Sequence, residues 1–94
     1  MQVNKSEQFK IRFKSIFEYI SQDKVSAAIK FRKELNLALK DLKNMPYKFR
    51  KSKYFNNDNI RDMIFKGYII VYKIDIEKEE ILIIGINKYK QRLN

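Results

Sequence analysis

The chain of 94 residues contains no cysteine, no histidine and no tryptophan, and only two glycines and one proline. Without cysteine there is no disulfide frame and no thiolate nucleophile. With histidine missing as well, a zinc site would rest on carboxylates alone, so neither a metal nor another cofactor is expected. No apolar run approaches the roughly 20 residues needed to cross a bilayer, and the N-terminus has no apolar signal segment of about 7 to 15 residues. The chain therefore reads as cytoplasmic, with no membrane contact. Internal repeats and Gly/Ser/Pro-rich linkers are also missing. A half-length piece could not bury enough surface to offset its chain entropy, so a single domain over residues 1–94 is expected.

Acidic residues are scarce too: 11 Asp and Glu stand against 21 Lys and Arg, a formal charge of +10. A field of that sign draws in polyanions or an acidic protein. The cations are spread along the chain rather than blocked, so a plain solvated surface accounts for them equally well.

What is present is apolar patterning: 45% apolar residues, with seven Phe and six Tyr. From Ser6, a plausible N-cap, the positions Phe9, Phe13, Ile16, Phe17 and Ile20 mark the stripe of an amphipathic helix over about 6–21. After Ser21-Gln22-Asp23, which offer turn and capping oxygens, Val25, Ala28, Phe31, Leu35, Ala38 and Leu42 predict a second helix over about 23–44. Ile29, Leu37 and Leu39 widen its apolar face. Pro46 ends it, because proline disfavours the helical region for the residue before it. So short a connection predicts an antiparallel hairpin.

Residues 47–59 read as a loop in which Lys48, Arg50, Lys51 and Lys53 alternate with Tyr47, Phe49, Tyr54 and Phe55. That composition suits a nucleic-acid groove, and it equally suits rings that pin a loop to the core. Three strands follow at about 60–66, 68–76 and 80–87, with Lys66-Gly67 as a two-residue hairpin turn. Val3 can seat a short N-terminal edge strand. The expected fold is α+β: a helical hairpin packed on a small antiparallel sheet.

The segments YISQDKVSAAIKFRKELNLALKDLKNMP, FRKS, NIRDMIFKGYIIVYKI and ILIIGI, in that order, resemble the RelE/ParE superfamily of toxins from type II toxin-antitoxin systems. The resemblance covers most of the chain and rests on Ala27-Ala28 with Phe31, Leu42 before Met45-Pro46, Arg50, Arg61, Gly67-Tyr68 and Tyr72. It implies one of two activities: RelE-like cleavage of messenger RNA on the ribosome, or ParE-like poisoning of DNA gyrase. Either toxin would pair with a cognate acidic antitoxin in a hetero-oligomer.

Cleavage by 2′-hydroxyl attack needs a base, an acid and cations around the phosphorane. Setting Gly67-Tyr68 on the family's Gly-Tyr turn puts Ile69 where the nucleases carry a catalytic Arg and Met63 where they carry Lys. The ParE-like branch, acting by binding rather than as an enzyme, is therefore the first reading. The alternatives are a nuclease, whose catalytic groups would come from Arg61, Lys66, Lys88 and Tyr89, and an inert basic nucleic-acid-binding or structural module. Residues expected to meet target or antitoxin are Arg50, Lys51, Lys53, Arg61, Lys73, Lys88, Tyr89, Lys90 and Arg92. Arg61 is expected on the sheet face away from the helices, and Tyr68 and Tyr72 in the core. The ending Asn87-Lys88-Tyr89-Lys90 departs from the commoner ParE-like ending, which tends toward a His and small residues.

Overall fold

A computed structural model describes residues 1–89. The elements run β1 (Gln2–Lys5), α1 (Glu7–Asp23), α2 (Val25–Asp41), β2 (Arg50–Lys51), β3 (Ile60–Phe65), β4 (Tyr68–Asp75) and β5 (Glu80–Lys88). They form a helical hairpin on one face of a five-stranded sheet in the order β1-β5-β4-β3-β2.

The sheet is mixed rather than wholly antiparallel. Val3 does seat an edge strand, but β1 runs parallel to β5, with Val3 opposite Ile81 and Lys5 opposite Ile83. Parallel pairing is reached because α1, α2 and the remaining strands separate the two in sequence, giving the chain length to cross over. β1 covers only the first half of β5. Among the described residues, the outer edge of β5 beyond Ile83 has no strand partner, and α1 runs beside it instead.

Ser6 makes that turn. Its backbone N–H donates to Ile83 O at 2.9 Å and its Oγ accepts from Phe9 N at 3.1 Å, so one residue ends β1, docks on β5 and caps α1. α1 continues through Asp23, past the Ser21 expected to end it. The Ser21 hydroxyl is spent inside the helix, donating to Phe17 O at 2.8 Å. The break between helices is Lys24 alone, in an extended conformation with φ −158° and ψ 117°.

α2 ends at Asp41, earlier than residue 44. Leu42 N donates to Leu39 O and Asn44 N to Asp41 O, so the last turn tightens to i→i−3 bonds before Pro46 is reached. Its buried face is Ala28, Phe31, Leu35 and Leu39, narrower than expected: Ile29 and Leu37 are exposed, and so is Ala27.

Phe13 stacks on Phe31 at 6.2 Å between ring centroids, and Phe31 meets Tyr68 at 5.3 Å, linking both helices to the sheet. Tyr72, Ile70, Ile74, Ile81, Ile83 and Ile86 complete this core. The β3–β4 hairpin turns on Lys66 at φ +47° and Gly67 at φ +85°, the pair of positive φ values that a tight two-residue turn requires. Residues directly opposite share a face, so the register Met63↔Ile70, Arg61↔Tyr72 and Asp62↔Val71 assigns every β3 side chain to the helix side or the far side.

Candidate target-binding surface

The basic loop is not structureless, because Arg50 and Lys51 pair with β3, opposite Asp62 and Arg61. This seats Arg50 on the far face beside Asp62. The Asp62 carboxylate is completely buried, with Oδ2 at 3.6 Å from Arg50 Nη2 and accepting from Lys53 N at 3.2 Å. Ser52 N donates to Ile60 O at 2.8 Å, and Ser52 Oγ accepts from Tyr54 N, which closes the strand into a turn. Lys51 reaches Asp58 at 3.2 Å, but both groups are exposed and water-screened, so the pair holds little. The Lys53 side chain is exposed, although its backbone is fixed.

Arg61 does not project away from the helices. Its register partner is Tyr72, a core residue, so it faces the helix side at the margin of the sheet. There it is a latch for the loop. Nε donates to Asp58 O at 2.9 Å, Nη1 donates to Phe49 O at 3.0 Å, and the guanidinium lies 4.9 Å from the Tyr47 ring centre. Tyr47 in turn donates to Asn59 Oδ1 at 2.8 Å. Tyr72 donates its hydroxyl to Pro46 O at 2.6 Å, and burial pushes its pKa up to about 12 against the opposing pull of Arg61. A phenol held there neither releases nor recycles a proton near neutral pH.

Met63 lies opposite Ile70 in the core, on the other face of the sheet from Ile69, whose register partner is Ile64, so the two positions set beside the nuclease cations do not share a face. The far face carries Ile60, Ile69, Val71 and Ile84 as an apolar cluster, with Tyr89 packed on it and the Arg50–Asp62 pair at its margin. Ile84 joins this cluster through a bulge: Gly85 pairs with Val71 and Ile83 with Tyr72, leaving Ile84 as the extra residue that turns outward. Lys73, opposite Ile60 and Leu82, is the exposed cation that this face adds.

Of the four groups a nuclease would draw on, Arg61 stands apart from the other three, which meet at the hairpin end of the sheet. Arg61 is on the helix side near the loop. Lys66, in the hairpin turn at the other end of β3, is paired with Glu34 of α2, and that hydrogen bond holds the Glu34 carboxyl below its usual pKa. Lys88 and Tyr89 follow one another at the end of β5, where Tyr89 N donates to Gly67 O at 2.7 Å. Lys90 and Arg92 lie outside the described residues.

Two further features come from α1, to which the sequence had assigned only a buried face. Between α1 and α2 opens a groove of about 310 Å³ floored by Phe9, Phe13, Phe17 and Leu35 and rimmed by Lys5, Lys10, Lys14 and Arg32. Burial, then repulsion from Lys10, lowers the Lys5 pKa, as expected where like charges meet over an apolar floor. On the other side of α1, Gln8, Arg12, Ser15 and Tyr19 stand beside the unpaired half of β5 and line two depressions of about 430 and 500 Å³. The spacing i, i+4, i+7, i+11 was the available signal, a polar stripe parallel to the apolar one.

The family description "ParE toxin of type II toxin-antitoxin system, parDE" matches residues 3–93. Among solved structures, the fold is similar to one from the chromosomal ParDE toxin-antitoxin system of P. aeruginosa, with a TM-score of 0.76, 13% identity and coverage of 96% of this chain and 97% of that one. It is also similar to the isolated RelE toxin of E. coli, with a TM-score of 0.65, 16% identity and coverage of 97% and 86%. No curated protein matches the chain. At those identities the solved structures speak for the fold, which is the RelE/ParE one, while the family match over nearly the whole chain speaks for descent: this chain belongs to the ParE toxin family of type II toxin-antitoxin systems.

Proposed function

We propose that this toxin acts by binding DNA gyrase and holding it on cleaved DNA, not by cutting messenger RNA, and that a cognate antitoxin with an acidic segment neutralises it. The observation that carries the reading is the chemistry of the far sheet face. Where phosphoryl chemistry would need a cluster of cations and a proton carrier, there are Ile60, Ile69 and Val71, a carboxylate already occupied by Arg50, and Tyr89 packed on the apolar cluster. An apolar surface edged by Lys73 can grip a protein by shape and charge. It offers nothing to stabilise a phosphorane.

Neutralisation by an acidic antitoxin suits the groove between the helices. Its floor of phenylalanine rings accepts the apolar face of an amphipathic segment, and carboxylates on that segment would answer Lys5, Lys10, Lys14 and Arg32. An anion brought there would also offset the burial and the Lys10 repulsion that lower the Lys5 pKa.

Purified toxin separates the activities. Added to gyrase and relaxed plasmid, it should block supercoiling and raise the yield of linear DNA, while a ribosome-bound message stays intact. In cells, DNA damage signalling should precede any loss of translation. Cut message with unchanged supercoiling would reject the proposal. Replacing Tyr89 and Lys90 together by Ala should relieve toxicity without loss of folded protein.

A further inference from the structure

The apolar face of α1 builds the core, and the polar stripe next to it faces the half of β5 that β1 leaves unpaired. Arg12 is at the junction, donating to the Asn87 side chain across the gap and lining both depressions. At one end Tyr19, 65% exposed, stands over Lys88, whose ammonium is 5.9 Å from the ring centres of both Tyr19 and Tyr68. At the other end the loop brings Tyr54 and Phe55, 66% and 47% exposed, over Val71, Ile84 and Gly85. Among the described residues, no carboxylate lines either depression.

We propose that the two depressions, which meet over the edge of β5 at Arg12 and Asn87, bind one segment of single-stranded DNA passing from the helix side to the far face, so that the toxin touches DNA directly as well as its protein target. Three things select that ligand over an acidic peptide. First, large rings stand exposed at both ends, where bases can stack on them. Second, the middle is polar: the Arg12 guanidinium and the Lys88 ammonium meet phosphates, and Ser15, Gln8 and Asn87 add neutral hydrogen-bonding groups. Third, the floor is open at Gly85, where an added Cβ would meet nothing within 4 Å. The groove between the helices has the reverse design, an apolar floor with a charged rim. Only the choice of DNA over RNA rests on the gyrase reading.

Fluorescence anisotropy of the purified toxin with dT12, as a function of KCl, tests the site without gyrase. The double variant Arg12→Gln/Lys88→Gln should bind at least tenfold more weakly at moderate salt. Its slope of log K against log salt should fall by about 1.4, the value for two lost contacts to single-strand phosphates at about 0.7 each. Tyr19→Ala should cost about tenfold through lost stacking. Gly85→Leu, which fills the floor from open space, should weaken binding while leaving the unfolding midpoint nearly unchanged, separating occlusion from misfolding.

Lys33→Gln/Lys40→Gln removes the same charge from the outer face of α2 and is the control. Equal losses in the control and in Arg12→Gln/Lys88→Gln would mean that net charge alone holds the oligonucleotide, and would overturn the proposal. So would full binding by Gly85→Leu, a tenfold preference for U12 over dT12, or equal affinity for a poly-Glu peptide with the same variant pattern. Supercoiling assayed in parallel reads the gyrase proposal separately: intact gyrase with site-dependent dT12 binding would reject that proposal and leave this one standing.

Discussion

Two basic regions of the molecule treat their charges in opposite ways. Around the loop and β3, Arg50 is paired with buried Asp62, Arg61 is tied to two backbone carbonyls and a ring, Lys51 reaches Asp58 and Lys66 meets Glu34. Along α1 and the end of β5, Arg12 and Lys88 have only neutral neighbours among the described residues, namely an amide and two phenol rings. The density of cations in the sequence is higher in the first region, yet four of its cations are tied to partners there, whereas Arg12 and Lys88 meet no carboxylate among the described residues. In a chain of +10, what decides availability is whether the fold hands each cation a partner, not how many cations a stretch contains.

The comparison breaks most visibly at Asp62. If the loop cations are structural, Asp62→Ala should destabilise the protein by about 3 kcal/mol, because it leaves Arg50 half-buried without its counter-ion and Lys53 N without its acceptor. Among the described residues, neither Arg50 Nε nor Asp62 Oδ1 has a protein partner, so the pair is an incomplete one. Replacing both members by apolar residues, Arg50→Met with Asp62→Val, should recover most of the loss. Urea denaturation of the two variants measures this, and a single variant as stable as the wild type would place Arg50 among the free charges.

Next in size is Arg61→Ala, expected to cost about 2 kcal/mol for two backbone hydrogen bonds and the ring contact. Because the carbonyls of Asp58 and Phe49 lose their shared donor, trypsin should cut faster after Lys48, Lys51 and Lys53. Arg61→Lys should recover only part, since a point charge cannot reach both carbonyls with the fork of a guanidinium. Unchanged proteolysis with lost toxicity would return Arg61 to the target-binding surface.

Much of the fold was legible because its determinants are local. The apolar stripe of α1, the Ser6 cap, Pro46 and the Lys66-Gly67 turn each act within a few residues. What escaped depends on pairing between distant strands. Nothing near Arg50 announces that it forms a two-residue strand beside Asp62, and nothing near Arg61 says that its partner is Tyr72, so the face of β3 was assigned backwards. The bulge at Ile84 is likewise a property of the β4–β5 register. The site suffered more than the fold, because in a strand a shift of one position reverses a side chain, while a helix boundary moved by two changes little. The polar stripe Gln8, Arg12, Ser15 and Tyr19 was visible in the periodicity, but its meaning came only from β1 ending at Lys5 and leaving half of β5 uncovered.

The smallest of these effects concerns Tyr72, where the loop region meets the core. Tyr72→Phe removes the hydrogen bond to Pro46 O and should lower stability by about 1 kcal/mol at neutral pH. Its pH dependence is the sharper observable. The folded state keeps the phenol protonated up to about 12, whereas the unfolded chain releases that proton near the ordinary tyrosine value of about 10. Below 10 both states hold the proton and the contribution is constant. Between 10 and 12 the unfolded state binds fewer protons, so the wild type loses stability as pH rises, and a phenylalanine has no such loss. Urea midpoints of the two proteins should therefore converge as pH rises from 10 towards 12. A gap that stays constant across that range would mean that Tyr72 reaches water, and that the Pro46–Arg61 corner is looser than the loop it is meant to hold.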